Sequence, residues 1–356
     1  MNNRKTTLKD VAAALNVSTT TVHRALNGKA GISEQLRSVI QNKAAEMGYE
    51  TNLAAAALKR KEIRIGVLLP EPLLENRYYY SALWSGIYSF TRSLDSFNVG
   101  IREFYYPLLP DSHGKALKNI YESHLHEIDG LITLGIDSSQ SSYFVDKINQ
   151  SKIPCIILGS DLYPHSRLCC VKAFDEMAGN LAAELFTAFL PQDFQGMLLM
   201  TGNPIGSSAM VDQYHNLMGF ESYLQQYCPS IHLRTAYCSD TRQLETLLMP
   251  FLSDKSKIPY GIYASSARHT IKTCQIIEKH GLSGKIRIIG NDSFSESLDY
   301  LKKHVLTAAI DKKVSNQSYE AASILFEYLS VGHYPERELI QIQPDIIMRS
   351  NLSPSF

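Results

Sequence analysis

The chain has 356 residues, of which 44% are hydrophobic and 20% charged, and its formal net charge is zero. This length exceeds one ordinary domain, and the composition is that of a globular protein with buried cores, which excludes a disordered chain. There is no run of 18 or more apolar residues and no apolar signal segment near Met1, so neither a membrane span nor secretion is expected and the location expected is cytoplasmic.

The zero charge is unevenly divided. Residues 1–61 hold ten Lys and Arg against four Asp and Glu, and the remainder carries the opposite imbalance. A basic segment on an acidic body points to nucleic-acid binding at the N-terminal end. Thr7-Leu8-Lys9-Asp10 has capping-box spacing, and Leu8, Val11, Ala12 and Leu15 mark one face of a short helix. Ser18 is a second N-cap, Val22, Ala25 and Leu26 form the next apolar face, and Asn27-Gly28 ends that helix. Ser33-Glu34 starts a third, with Leu36, Ile40, Ala44 and Met47 as its stripe. Two short helices joined by a tight turn and braced by a third make a helix-turn-helix. Its second helix sends Thr19, Thr20, His23 and Arg24 outward, where they can hydrogen-bond base edges. Ser18, Thr21 and Asn27 suit phosphate contacts, and Thr7 joins this DNA-binding set at the start of the first helix. The competing reading is an ordinary three-helix bundle with a polar surface.

The run from Thr7 to Asn27, TLKDVAAALNVSTTTVHRALN, resembles the headpiece signature of the lactose-repressor (LacI/GalR) family, and Ile32-Ser33, Arg37, Ala44, Gly48-Tyr49 and Asn52 continue it in register. Leu15 and Asn16 stand where the family usually has Ala-Gly, and His23 where it usually has serine. The resemblance implies that Thr19, Thr20 and Arg24 carry most of the base reading. The alanine-rich residues 51–61 resemble the family's hinge helix, with Leu58 as the minor-groove wedge and Lys59 on a phosphate or the groove floor. A plain charged linker is the alternative.

From Glu62 the texture changes. Buried-strand runs occur at 63–69, 99–105, 130–134, 155–158, 197–200, 261–263, 286–289 and 307–310, with helical stretches at 83–94, 174–190, 219–227 and 270–280. Such alternation implies parallel sheets with helices on both faces. Two sheets, divided near Val171, make a bilobed body with its ligand cleft at the carboxyl ends of the strands. The six cysteines are scattered, without CxxC spacing, and read as free thiols in a reducing compartment. Gly202 to Ser208 lacks a P-loop lysine, and no GxGxxG, HExxH or GxSxG occurs. His113, His124 and His126 read as solvated helix positions. No enzymatic activity, metal or cofactor is expected.

Ile128-Asp129-Gly130-Leu131-Ile132, Ile153 to Gly159 and Ile288 to Asp292 resemble strand motifs of the family's periplasmic-binding-protein-like effector domain. The implied fold class is an all-α headpiece followed by an α/β bilobed body with two parallel sheets. The domains are then 1–50 (headpiece), 51–61 (hinge) and 62–350 (effector domain), with 62–171 plus 293–320 as one lobe and 172–292 plus 321–350 as the other. The resemblance implies ligand contacts from the aromatic pair Tyr79 and Tyr80, from Asp292, from Asp311 where Gln is usual, and from Ser265 where Asn is frequent. Asn216 stands where many members place a ligand-binding Arg, which favours a neutral sugar over a phosphate or carboxylate. The stretch Leu73 to Arg77 is longer than usual, and Trp84 is expected to pack on a helix face near the cleft. The function implied is a repressor of carbohydrate genes, a homodimer on a palindromic double-stranded operator, released or recruited by a small-molecule effector. The alternatives are a regulator answering to a protein partner or a nucleobase corepressor, and a solute-binding protein, which would need a signal peptide and no basic headpiece.

Overall fold

The computed structural model describes residues 6–26, 31–47, 62–94, 98–190, 196–204, 214–253 and 259–352. Asn27, Leu58, Lys59 and the rest of the expected hinge lie outside the described residues, as does the side chain of His23.

The N-terminal unit contains α1 (Leu8–Ala14), α2 (Thr19–Leu26) and α3 (Glu34–Glu46). Each start is capped where the sequence signals it. Asp10 N donates to Thr7 Oγ1 while Thr7 N donates to Asp10 Oδ2, Thr21 N donates to Ser18 Oγ, and Leu36 N donates to Ser33 Oγ. Such caps satisfy helix N–H groups that have no intrahelical acceptor. Asn16, between α1 and α2, has φ 52°, a left-handed conformation that Asn tolerates better than most side chains. Val11, Ala12, Val22, Ala25, Ile40 and Ala44 form the small core. Arg37 on α3 donates to the Ala25 carbonyl at 3.3 Å and ties the third helix to the end of the second.

The body begins with β1 (Ile63–Pro70), α4 (Arg77–Ser93), β2 (Val99–Tyr106), α5 (Ser112–Asn119), β3 (Gly130–Leu134), α6 (Ser139–Gln150), β4 (Cys155–Leu158) and β5 (Cys169–Ala173). The chain then crosses to α7 (Asp175–Phe189), β6 (Met197–Gly202), α8 (His215–Tyr227), β7 (His232–Tyr237), α9 (Leu244–Leu252) and β8 (Gly261–Ala264). There follow α10 (Ala267–Lys279), β9 (Arg287–Asn291), α11 (Ser295–Lys302), β10 (Ala308–Asp311), α12 (Val314–Val331), β11 (Leu339–Ile342) and β12 (Asp345–Ile347). The first sheet has the order β11-β5-β4-β3-β1-β2 and the second β12-β10-β9-β8-β6-β7. All pairings are parallel except β10 with β12, an antiparallel edge.

Both sheets are covered on two faces. In the second, Leu199, Ile262, Ile288 and Ala309 belong to one apolar cluster, and their strand neighbours Leu198, Tyr263, Ile289 and Ala308 belong to another. Successive side chains of a strand point to opposite faces, so continuous apolar runs mark strands buried on both sides. Of the six cysteines, none bridged, five are buried and Cys228 is half-buried.

The expected lobe boundaries need correction. Residues 295–311, assigned to the first lobe, form α11 and β10 of the second, because β10 pairs with β9. Conversely all of α12 and β11 belong to the first lobe: α12 packs on α4, and β11 pairs with β5. Periodicity identifies an apolar strand without saying which sheet it joins.

Helices α7 and α8 approach closely at two glycines. A Cβ on Gly179 would lie 1.9 Å from the Asn216 carbonyl oxygen, and one on Gly219 would lie 2.3 Å from that of Glu176. Gly179→Ala is therefore expected to destabilise the body by about 1–3 kcal/mol, read as a thermal midpoint several degrees lower. An unchanged midpoint would mean that the two helices part without cost.

Candidate functional site

The carboxyl ends of the two sheets face a cavity of about 710 Å³ lined from both lobes. The first lobe contributes an aromatic wall. Tyr79 and Tyr80, early in α4, meet edge to face at 5.3 Å, and Tyr106 ends β2. His113 on α5 lies beside Tyr106 with ring centroids 5.0 Å apart. His113 is buried rather than solvated, with one ring nitrogen 2.9 Å from Ser141 Oγ and the other 2.9 Å from Thr133 Oγ1. Burial pushes its pKa down to about 3, so the ring is neutral.

The second lobe contributes a charged wall. Asp292 follows β9 with φ 68°, its amide donating to the Ile310 carbonyl at 2.8 Å. The side chain is buried, and its Oδ1 has no hydrogen-bond partner among the described residues. Lys312 follows β10, and its Nζ lies 3.4 Å from Asp175 Oδ1, with the two side chains only 12% and 7% exposed. Burial opposes the lysine charge, but Asp292 and Asp175 outweigh it and hold the ammonium above its usual range. Burial likewise pushes the Asp292 carboxyl up, to about 6, against the pull of Lys312; Asp311 and Asp175 add to the rise. Two carboxylates thus share one ammonium.

Of the expected ligand contacts, Tyr79, Tyr80, Ser265 and Asp292 line the cavity. Asn216 and Asp311 do not. Asn216 is fully buried, with Nδ2 donating to the Ser265 carbonyl at 2.7 Å and Oδ1 accepting from Leu217 N. It holds the backbone beneath Ser265 instead of facing a ligand. Asp311 accepts from the Ser293 hydroxyl at 2.7 Å and from Lys313 N at 2.8 Å, and so closes the turn into α12. Trp84 packs on Tyr88 and Tyr105, outside the cavity lining. Sequence reasoning missed Tyr106, His113, Asp175, Arg268 and Lys312, all of which line the cavity. Arg268 donates to Asn203 Oδ1. Only Lys312 had a local signal, a lysine directly following an apolar strand.

The long stretch after β1 spans the cleft mouth. Arg77 pairs with Glu296 of α11 at 2.7 Å, Tyr78 stacks on Phe294 at 4.6 Å, and Glu75 accepts from the Thr241 hydroxyl.

In the headpiece, α2 leaves Thr19, Thr20 and Arg24 exposed while Val22 and Ala25 are buried. Ser18 and Thr21 share a hydrogen bond of 2.8 Å, and the Thr7 hydroxyl donates to Asp10 at 2.6 Å.

Comparison with known proteins agrees with this division. Residues 7–52 match the family model of bacterial regulatory proteins of the lacI family, and residues 115–333 match that of a periplasmic binding protein domain. The HTH-type transcriptional regulator MalR of Staphylococcus xylosus is 30% identical over 164 residues, 44% of this chain and 45% of the relative. The chain spans about half the length of the curated relatives it matches. A putative LacI transcriptional regulator from Bacteroides fragilis superposes with TM-score 0.69 at 17% identity, over 82% of this chain and 98% of the other. GanP, a glucose-galactose binding protein from Geobacillus stearothermophilus, gives TM-score 0.67 at 20% identity, over 82% and 99%. At such identities the two structures establish the fold.

The Asp292 environment makes stability depend on pH. Between about pH 4 and 6 the folded carboxyl keeps a proton that the unfolded chain has released, so the folded form loses stability as pH rises through that window. A rise from 3.8 to about 6 corresponds to about 3 kcal/mol. Asp292→Asn is expected to raise the thermal midpoint at pH 7.5 and leave it unchanged at pH 4. An equal effect at both values would show that the carboxyl is not held protonated by its burial.

Proposed function

Because the chain belongs to the lacI family of bacterial regulatory proteins, with a periplasmic-binding-protein domain as its body, we propose that it is a DNA-binding transcription regulator whose operator affinity is set by a neutral sugar bound between the two lobes. The headpiece observation is the exposure of Thr19, Thr20 and Arg24 on the second helix of a capped helix-turn-helix. Those three would read base edges in the major groove, with Ser18 and Thr21 on phosphates. Asn27, His23, Leu58 and Lys59 keep the roles that the family resemblance gives them. A homodimer would place two such helices on a palindromic site. In keeping with its relatives, the chain acts as a regulator and not as an enzyme, and its place of action is the cytoplasm.

The observation that carries the sugar reading is a cavity whose lining brings carboxylates, Asp292 and Asp175 among them, together with an aromatic side of Tyr79, Tyr80 and Tyr106. A carboxylate accepts several hydrogen bonds, which suits ligand hydroxyls. The missing Arg at Asn216 does not leave the cleft without cations, since Lys312 and Arg268 line it. Asp175 and Asp292 already offset the Lys312 charge, however, so an added anion there would meet two carboxylates. A neutral ligand remains the better fit, and GanP, named as a glucose-galactose binding protein, has the same fold.

Two measurements test the proposal. A sugar at a hundred times its dissociation constant should stabilise the protein by about 2.7 kcal/mol, and Asp292→Ala should abolish the thermal shift. A response confined to sugar phosphates or sugar acids would replace the neutral ligand with an anionic one. For the headpiece, Arg24→Ala should weaken binding to a selected palindromic operator by about 1–3 kcal/mol and relax the preference at one base pair. Unchanged preference would remove Arg24 from the reading surface.

A further inference from the structure

Residues 71–78 leave the end of β1 in the first lobe and fasten to the second. Their base is stiff. Glu71 N donates to the Tyr106 carbonyl at 3.3 Å, Leu73 N donates to the Glu71 carbonyl at 2.9 Å, and the ring of Pro72 between them fixes its own φ. Leu74 then takes φ 50°, a left-handed conformation unfavourable for leucine, with its side chain 83% exposed. Backbone strain of this kind persists where the surroundings over-determine it. Here the restraint is Arg77, whose Nη1 donates to the Leu74 carbonyl at 3.0 Å while Nη2 pairs with Glu296 across the cleft mouth. The attachments to the second lobe fall at two separate places. Glu75 meets Thr241 just beyond β7, whereas Tyr78 and Arg77 meet Phe294 and Glu296 just beyond β9. In the second sheet β7 and β9 are three strand spacings apart, about 14 Å. The segment therefore straddles the ends of β6 and β8, and its inner residues Glu75 and Asn76 line the cavity.

We infer that residues 71–78 are a strap that roofs the cavity and latches the two lobes together in the absence of a ligand, so that a molecule reaches the cavity only when the hooks part. The lobes are joined by three crossings of the chain, and the strap adds a fourth link that is not covalent. Each hook is weak by itself: an exposed ion pair, a ring stack and one hydrogen bond. They are carried on one stiff arm, however, so that forming the first places the others at high effective concentration. The strap then closes and releases as a unit. Such a latch acts whatever molecule the cleft takes.

The test is the rate at which a thiol placed in the cavity of the full chain reacts with N-ethylmaleimide when no ligand is added. Ala173 of the first lobe and Ala267 of the second both line the cavity and are each 5% exposed, so Ala173→Cys and Ala267→Cys supply one reporter per lobe. The half-buried Cys228 is the internal reference, and peptide mass spectrometry reads each site. Arg77→Ala combined with Tyr78→Ala should speed labelling of both cavity thiols about tenfold and leave Cys228 unchanged. Phe294→Ala combined with Glu296→Ala should do the same from the opposite lobe. All four changes together should be no faster than either pair, since each pair removes the same contacts. Cavity thiols that react at the same rate with and without the hooks would overturn the latch. Effects of the two pairs that multiply would overturn it as well, and so would faster labelling of Cys228, the mark of a generally loosened fold. The sugar reading stands or falls separately, on the response of the thermal midpoint to sugars.

Discussion

The geometry of the cleft depends on a set of contacts that pin the three places where the chain passes between lobes. The first passage lies between β5 and α7, the second between β10 and α12, and the third between β11 and β12. Asp175 of the first pairs with Lys312 of the second at 3.4 Å. Lys313 of the second pairs with Asp345 of the third at 2.8 Å, and Phe174 N donates to the Ile342 carbonyl at 3.0 Å, joining the first to the third. The Asp175–Lys312 pair is the buried member. Removing one partner of such a pair typically costs about 3–5 kcal/mol, because the other charge is left unpaired away from water. The same ammonium influences Asp292 in the ligand wall, so hinge and ligand site share one charge.

The contacts across the cleft mouth are weaker in kind. Arg77 and Glu296 are 48% and 38% exposed, and an ion pair of that exposure contributes about 0–1 kcal/mol. The stack of Tyr78 on Phe294 adds an amount on the order of 0.5–1.5 kcal/mol. A bridge of that strength biases closure without fixing it. A ligand shifts a two-state equilibrium only by its difference in affinity for the two states. The crossings between the lobes are thus held more strongly than the cleft mouth.

What was legible in the sequence follows from the range of the interactions involved. The headpiece could be read almost in full, because its caps at Thr7, Ser18 and Ser33 and its apolar stripes are local. The strands at 130–134 and 155–158 were equally plain, being buried on both faces. Strand β7 was not: His232, Arg234 and Thr235 are exposed on a sheet edge, and Leu233, Ala236 and Tyr237 are too few and too interrupted to form a continuous apolar run. The lobe exchange was misplaced because the apolar run of β10 would fit either sheet. In the cleft, Tyr79, Tyr80, Ser265 and Asp292 came from resemblance, whereas Lys312 and His113 depend on partners distant in the chain. The partner of Lys312 is 137 residues away, and those of His113 are 20 and 28. Helical spacing alone made His113 a solvated position.

At Asn216 the expected ligand contact is replaced by a structural one. The residue does deprive the cleft of a guanidinium, but its own amide never reaches the ligand space and is spent on the backbone of Ser265. The cations that do line the cleft are already engaged, Lys312 with Asp175 and Arg268 with Asn203. The lining also holds Glu75, Asp111, Asp137, Asp175 and Asp292, five acidic side chains against those two cations, so charge acts against an anionic ligand and is a poor instrument for telling one neutral ligand from another. Hydrogen-bond mates are a better one. A site built around buried polar groups rejects an analogue that leaves them unpaired by about 10⁴–10⁵-fold, against about 10–200-fold for one methylene in an apolar pocket. Under the proposed function, the polar residues of the cavity lining, Ser265 and Asp292 among them, are where such discrimination would be exercised.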